Sequence, residues 1–182
     1  MLRIFISGLE KQSGKTIIAA GLAGTMQSLN YSTSVFKPIQ TGAKSLNGFM
    51  QSQDLAIIKR IDSNINTGFS YAFTGTMSPL VSAYEANGVK IKLDRIYNDF
   101  MANTQMSECH IVEGANGISS PIAENLTEID LVKSLGLPLI LVINPKTSSV
   151  GNVIAAINFI RVNKANFLGV IVNNYNKDSE NL

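Results

Sequence analysis

The segment Gly8-Leu-Glu-Lys-Gln-Ser-Gly14-Lys15-Thr16 holds the residue types needed to grip a polyphosphate. Its glycines let the chain turn so that successive backbone N–H groups converge on phosphate oxygens. A helix starting at Lys15 would add the positive end of its dipole. In loops of this kind the lysine bridges the β- and γ-phosphates and the following hydroxyl ligates Mg²⁺, which gives those tasks to Lys15 and Thr16. Gly8, Gln12, Ser13 and Gly14 complete the candidate cradle. Five residues separate Gly8 from Gly14, where the general pattern has about four. The bland alternative is a strand–turn–helix join that happens to contain Gly-Lys-Thr. The chemistry indicated is binding of a nucleoside triphosphate with magnesium.

Three further polar clusters follow apolar runs: Lys37-Pro-Ile-Gln-Thr41-Gly42, Glu113-Gly114-Ala-Asn116-Gly117, and Asn173-Asn174. Glu113 could hold magnesium directly or through water; otherwise it caps the glycine turn after it. Lys37, kept extended by Pro38, could aim its ammonium at the same place; otherwise it is a solvated lysine. Asp54 opens a helical segment, Asp54–Ile61, and is either a third metal ligand or a plain N-cap. His110 and Cys109 stand alone, without a partner for catalysis, redox or zinc, and read as packing.

The elements that must position these residues are short apolar runs alternating with helical periods. Arg3–Ser7, Thr33–Phe36, His110–Glu113, Pro138–Ile143 and Gly169–Val172 lack polar alternation, as strands covered on both faces do. Ile17, Ile18, Gly21, Leu22, Thr25, Met26 and Leu29 keep helical spacing, as do Leu93–Met101 and Val150–Ile160. Met26, Met101 and Met106 are expected to fill core. Thr127 with Asp130 should cap a helix running to Leu135, with Gly136 as its left-handed stop. Gly42–Gly48 reads as a mobile loop, and residues 62–79 show little periodicity. The order βαβ, insertion, βαβαβ predicts an α/β fold, a doubly wound, mainly parallel sheet with helices on both faces.

With 182 residues and no linker, repeat or low-complexity tract, residues 1–182 read as a single nucleotide-binding α/β domain. The polar tail from Asn173 to Leu182 suggests a chain short at its C-terminus. A net charge of +2 and 15% charged residues argue against nucleic acid as a partner. No apolar run approaches the ~18 residues of a membrane span. One cysteine excludes a disulfide framework and favours a cytoplasmic setting.

Taken together, these motifs resemble the dethiobiotin synthetases, phosphate-loop enzymes of biotin synthesis. The likeness runs through the long loop ending Gly14-Lys15-Thr16, Lys37-Pro38 with Thr41-Gly42, and Asp54 at a helix start. It continues through Ser78-Pro79, Ala83-Tyr84-Glu85, Val112-Glu113-Gly114-Ala115-Asn116-Gly117, Leu139–Val142 and Lys146. The resemblance implies an ATP- and Mg²⁺-dependent cyclo-ligase that carboxylates 7,8-diaminopelargonic acid with CO₂ or bicarbonate and closes a cyclic urea. It implies that Gly8, Gln12, Ser13, Gly14, Lys15, Thr16, Glu113, Gly114 and Asn116 hold the nucleotide, with Asn173 on adenine. It gives magnesium to Thr16, Asp54 and Glu113, and catalysis to Lys15, Lys37 and Thr41, the last two beside the carbamate. It further implies a homodimer in which Ser149, Val150 and Gly151 receive the partner copy's substrate carboxylate.

Glu10, Lys11 and Gln12 depart from the Asp, Thr and Glu usual in that family and make the loop more positive. Two other classes share parts of the pattern. Chromosome-partitioning ATPases use a similar loop in a dimer switch, with a lysine one position earlier than Lys11. A synthetase-like homologue could act on a different acceptor.

Overall fold

The computed structural model describes residues 2–176. The tail 177–182, and the expectation about it, lie outside the described residues. Arg3–Gly8 (β1) leads through the glycine loop into Lys15–Ser28 (α1), then Thr33–Thr41 (β2). A hairpin of Lys44–Leu46 (β3) and Phe49–Gln51 (β4) precedes Gln53–Ile61 (α2) and Asn66–Phe73 (β5). Pro79–Glu85 (α3), Leu93–Thr104 (α4) and Cys109–Glu113 (β6) follow. Pro121–Ala123 (β7) and Leu126–Thr127 (β8) form a second hairpin that runs into Glu128–Leu135 (α5). Leu139–Ile143 (β9), Val150–Val162 (α6) and Phe167–Val172 (β10) complete the described elements.

Six strands form one parallel sheet in the order β10-β9-β1-β6-β2-β5. β1 and β6 are apolar on both faces because helices cover both: α1 and α2 pack with Ile4, Ile6, Ile111 and Val142, while α3 to α6 pack with Phe5, Val112, Leu139 and Leu141. Burying side chains such as Phe5, Ile6, Phe36 and Ile111 contributes about 1.5–3 kcal/mol each. All six carboxyl ends point the same way, and there, where the chain order reverses around β1, a ligand crevice forms.

The expected strands are present, with β2 longer than anticipated because it continues through Pro38 to Thr41. Pro38 is tolerated there because pairing to β6 has ended at Phe36 and Val112. The structure corrects several other expectations. Residues 62–79 contain β5, a full edge strand hidden by Gly68 and Ser70, which break its apolar pattern. Within Gly42–Gly48, residues 44–48 supply the first strand and the turn of the β3–β4 hairpin, whose tip is Asn47-Gly48 at positive φ. α1 fully buries Ala19, Ala20 and Ala23, while Ile18 and Leu22 pack half-buried against the same core and Ile17 and Leu29 stay about 60% exposed. Small side chains allow that helix to lie close to the sheet. Met101 and Met106 are exposed and fill no core. Thr127 and Asp130 do form a capping box, and Gly136 ends α5 in the left-handed region. His110 and Cys109 are buried structural residues; His110 shares a hydrogen bond with the Ser107 carbonyl and meets Phe100 edge-on.

Candidate nucleotide and metal site

Because β1 ends at Gly8 and α1 begins at Lys15, the intervening loop is pinned at both ends over the carboxyl edge of the sheet. Gly14 caps α1 at φ 99°, a conformation costly for any residue with a Cβ, and no side chain caps the helix. The Lys15 and Thr16 amides are thereby left to an anion, with no acidic residue in the first turn to compete. A Cβ on Gly8 would fall 2.3 Å from Ser13 Oγ and 3.0 Å from the Lys15 ammonium, so only glycine leaves this concavity open. Ser13 Oγ and Asn116 Oδ1 are buried beside it without hydrogen-bond partners among the described residues.

The Lys15 ammonium is 5% exposed and rests on backbone oxygens, donating to Asn116 O at 2.5 Å and Glu10 O at 3.1 Å. Burial holds its pKa below the usual lysine value, with the charge on Glu128 opposing and that on Lys37 assisting. Asn173, at the end of β10, donates its amide to Ser13 O and so braces the loop.

Glu113 ends β6 fully buried, and its Oε1 accepts from the Thr16 hydroxyl at 2.7 Å. Lys37 reaches the same oxygen at 2.7 Å and Asp54 Oδ2 at 2.8 Å. At 3% exposure Lys37 is not the solvated lysine that its sequence also allowed. Burial would lower its pKa, but Glu113 and Asp54 outweigh that and raise it. Asp54 is not an N-cap either: Ser52 caps α2 by accepting from Leu55 N–H, which sets Asp54 in the first turn facing the site. Burial pushes the Asp54 carboxyl up, yet Lys37 and a hydrogen bond from Gln40 bring it below its ordinary value.

Two carboxylates and a hydroxyl suit a hard divalent ion that takes its remaining ligands from water and phosphates, the habit of Mg²⁺. The second oxygen of Glu113 is buried with no hydrogen-bond partner among the described residues, a vacancy in its bonding that a cation would fill. The residues therefore fit the metal. No group of three or more His, Cys, Asp or Glu gathers among the described residues, so these side chains alone would not saturate it.

Sequence reasoning missed two supporting residues. Glu128, the first residue of α5, lies 1% exposed beneath the loop. It accepts from the Ser7 hydroxyl, from Ala115 N–H at 2.8 Å and from Asn116 N–H at 3.3 Å. Burial raises its pKa against the pull of Lys15 and those donors. Gly114 is required there, since a Cβ would stand 2.2 Å from Glu128 Oε1. Gln40 accepts from Ser52 Oγ and donates to Thr41 O while bonding Asp54. An acid opening a helix beside a glycine turn was the only sequence signal for Glu128, and it reads equally as a cap.

A cavity of about 450 Å³ joins these groups, lined by Gln12, Lys15, Thr16, Lys37, Thr41 and Asp54 among others. Lys11 lies on its rim and donates to Thr76 O at 2.6 Å. Glu10 turns away to accept from Ser148 Oγ. Ser149, Val150 and Gly151 are not brought to this cavity; they stand exposed at the start of α6, where Ser149 caps the helix. A second cavity, of about 310 Å³, lies apart between α3 and the β7–β8 hairpin and is mostly apolar.

The chain is similar to the "ATP-dependent dethiobiotin synthetase BioD" of Nitrosopumilus maritimus (strain SCM1), 29% identical over 98% of this chain and 78% of that one. It is similar to the enzyme of the same name from Bacillus cereus (strain G9842), 28% identical over 94% of this chain and 71% of that one. Among solved structures, the "BceF Tyrosine Kinase Domain" superposes with a TM-score of 0.55 at 13% identity, covering 93% of this chain and 67% of that one, which speaks to fold alone. A family described as "AAA domain" matches residues 2–181, a span that includes the glycine loop, Asp54 and Glu113, and to that ATP-dependent phosphate-loop family this chain belongs.

Proposed function

We propose that the protein is an ATP- and Mg²⁺-dependent dethiobiotin synthetase, converting 7,8-diaminopelargonic acid and CO₂ to dethiobiotin with release of ADP and phosphate. The observation that carries this reading is the single cavity in which Lys15, Lys37, Thr16, Asp54 and Glu113 converge beside Thr41. Phosphorylating an anionic carbamate brings like charges together, so the site must concentrate cations, and it holds two buried lysines and a helix N-terminus.

The α1 amides and Lys15 hold the triphosphate, and Asn173 takes the base in this reading. Thr16, Asp54 and Glu113 would hold Mg²⁺, which when bound neutralises phosphate charge. One substrate amine takes up CO₂ and loses a proton to give the carbamate, which Lys37 and the Thr41 hydroxyl orient. A carbamate oxygen attacks the γ-phosphorus and ADP leaves. The second amine then attacks the carbonyl carbon, losing a proton as phosphate departs and the urea ring closes. Glu128 keeps the Ala115 and Asn116 amides in place, and through Asn116 O the resting position of Lys15. A second copy of the chain completes the site in this reading, its Ser149-Val150-Gly151 amides taking the distant carboxylate. Exposed Val150 and Ile154 on α6 support such a contact. A cytoplasmic location accords with the single buried Cys109.

One observation favours a variant of this reading: Lys11 on the cavity rim makes an acceptor with an additional anionic group welcome. A partition-type switch is less well supported, because Lys11 is engaged by Thr76 of its own chain. Phosphate release measured with Mg²⁺-ATP and bicarbonate, with and without the diamine, tests the proposal. Release that depends on the diamine is expected. Release indifferent to it would overturn the reading.

A further inference from the structure

Lys37 comes from the middle of β2, where Pro38 holds the chain extended and the buried side chain ends at the site cavity. Its ammonium lies between Glu113 Oε1 and Asp54 Oδ2, at 2.7 and 2.8 Å. Thr16 Oγ1 sits on that same Glu113 oxygen. The three side chains that suit a divalent cation are therefore already grouped around a positive charge. A metal ion held by Thr16, Asp54 and either oxygen of Glu113 would stand within a few ångströms of the Lys37 ammonium, where two positive charges repel by several times thermal energy even with generous screening.

We propose that Lys37 and the divalent metal are mutually exclusive occupants of the Asp54–Glu113 pair. In the nucleotide-free protein Lys37 holds the carboxylates together and keeps the ligand set assembled. Entry of the metal releases the ammonium into the adjoining cavity, on the side lined by Gln40 and Thr41, toward where phosphate oxygens of a bound nucleotide would receive it. Free divalent ions thus bind weakly, and the metal enters with the nucleotide, whose charge takes over the displaced lysine. The device sets an order of events: Lys37 reaches the phosphoryl group only once the metal is seated. This inference rests on Thr16, Asp54 and Glu113 being the metal ligands, and does not depend on which acceptor is used.

Binding of Mn²⁺ to nucleotide-free protein, followed by electron paramagnetic resonance, tests it. Lys37→Met should bind Mn²⁺ about tenfold or more tighter than the wild type, while Lys37→Arg, which keeps the charge, should not. Equal affinity for Lys37→Met and wild type, with Asp54→Asn deficient, overturns the exchange and leaves the ligand assignment standing. Asp54→Asn binding Mn²⁺ with ADP as well as wild type does would overturn the assignment itself. Because Lys37→Met strips two carboxylates of their cation and could fail to fold, a second measurement uses the intact protein. With ¹⁵N-labelled lysine, the Lys37 ammonium resonance, identified by its loss in Lys37→Arg, should shift on adding Mg²⁺ and ADP. A resonance that stays in place refutes the exchange.

Discussion

Replacing Glu128 by leucine should destabilise the protein far more than replacing it by glutamine. Glu128 is 1% exposed and receives three donors: Ser7 Oγ on one oxygen, and the Ala115 and Asn116 amides on the other. Leucine fills similar space but leaves all three without an acceptor. An orphaned buried donor costs about 1–3 kcal/mol, and release from burying a carboxyl group offsets part, so a net loss of about 2–4 kcal/mol is expected. Glutamine keeps a carbonyl oxygen for the two amides and can donate to Ser7, so about 1 kcal/mol or less should be lost. Urea unfolding at neutral pH measures both. The pH dependence gives a second check. Burial raises the Glu128 pKa above its ordinary 4.5, so the folded protein holds this proton more tightly than the unfolded chain. Its contribution to stability is full below 4.5, falls as pH rises from there through the raised native value, and is flat beyond. The stability difference between wild type and Glu128→Gln should change over that window. Equal midpoints for the leucine and glutamine variants would show that the hydrogen bonds to Glu128 do not hold the loop, and a difference constant with pH would show that burial does not raise its pKa.

Gly14→Ala should lose nucleotide binding by equilibrium dialysis, because φ is 99° and the new methyl would stand 1.9 Å from Asn173 Nδ2. Lys37→Ala should abolish diamine-dependent phosphate release while leaving ATP binding largely intact, whereas Lys15→Ala should weaken both. The reverse pattern would reassign the two lysines. At low pH the Asp54 carboxyl, pushed up by burial but pulled further down by Lys37, lies below its ordinary 3.8. Its contribution is therefore present above 3.8 and lost as pH falls through the depressed value, and Asp54→Asn should flatten that acid limb in urea titrations.

The glycine loop was legible because its chemistry depends on local spacing, which the chain states directly. The central strands were legible for the same reason: β1, β6 and β9 are covered on both faces and show it in unbroken apolar runs. What escaped depends on neighbours distant in sequence. β5 is an edge strand carrying Gly68 and Ser70, so its pairing with β2 holds it more than any pattern of its own. The most buried positions of α1 are alanines because the sheet lies close, whereas sequence periodicity picks out larger residues of which Ile18 and Leu22 only half bury and Ile17 and Leu29 stay outside. Lys37, Asp54 and Glu113 were each candidates, yet one ammonium bridging both acids follows from β2 and β6 being neighbours and from α2 starting at Ser52. Glu128 has its hydroxyl partner 121 positions away, at Ser7, and nothing local distinguishes it from an ordinary first-turn acid.

Equilibrium dialysis of labelled ATP against the intact protein, with millimolar Mg²⁺, puts the phosphate-gripping role of Gly8 to Thr16 to the test. One saturable site per chain, lost in Lys15→Ala, is the expected outcome. Folded protein that retains no ATP under those conditions would contradict it.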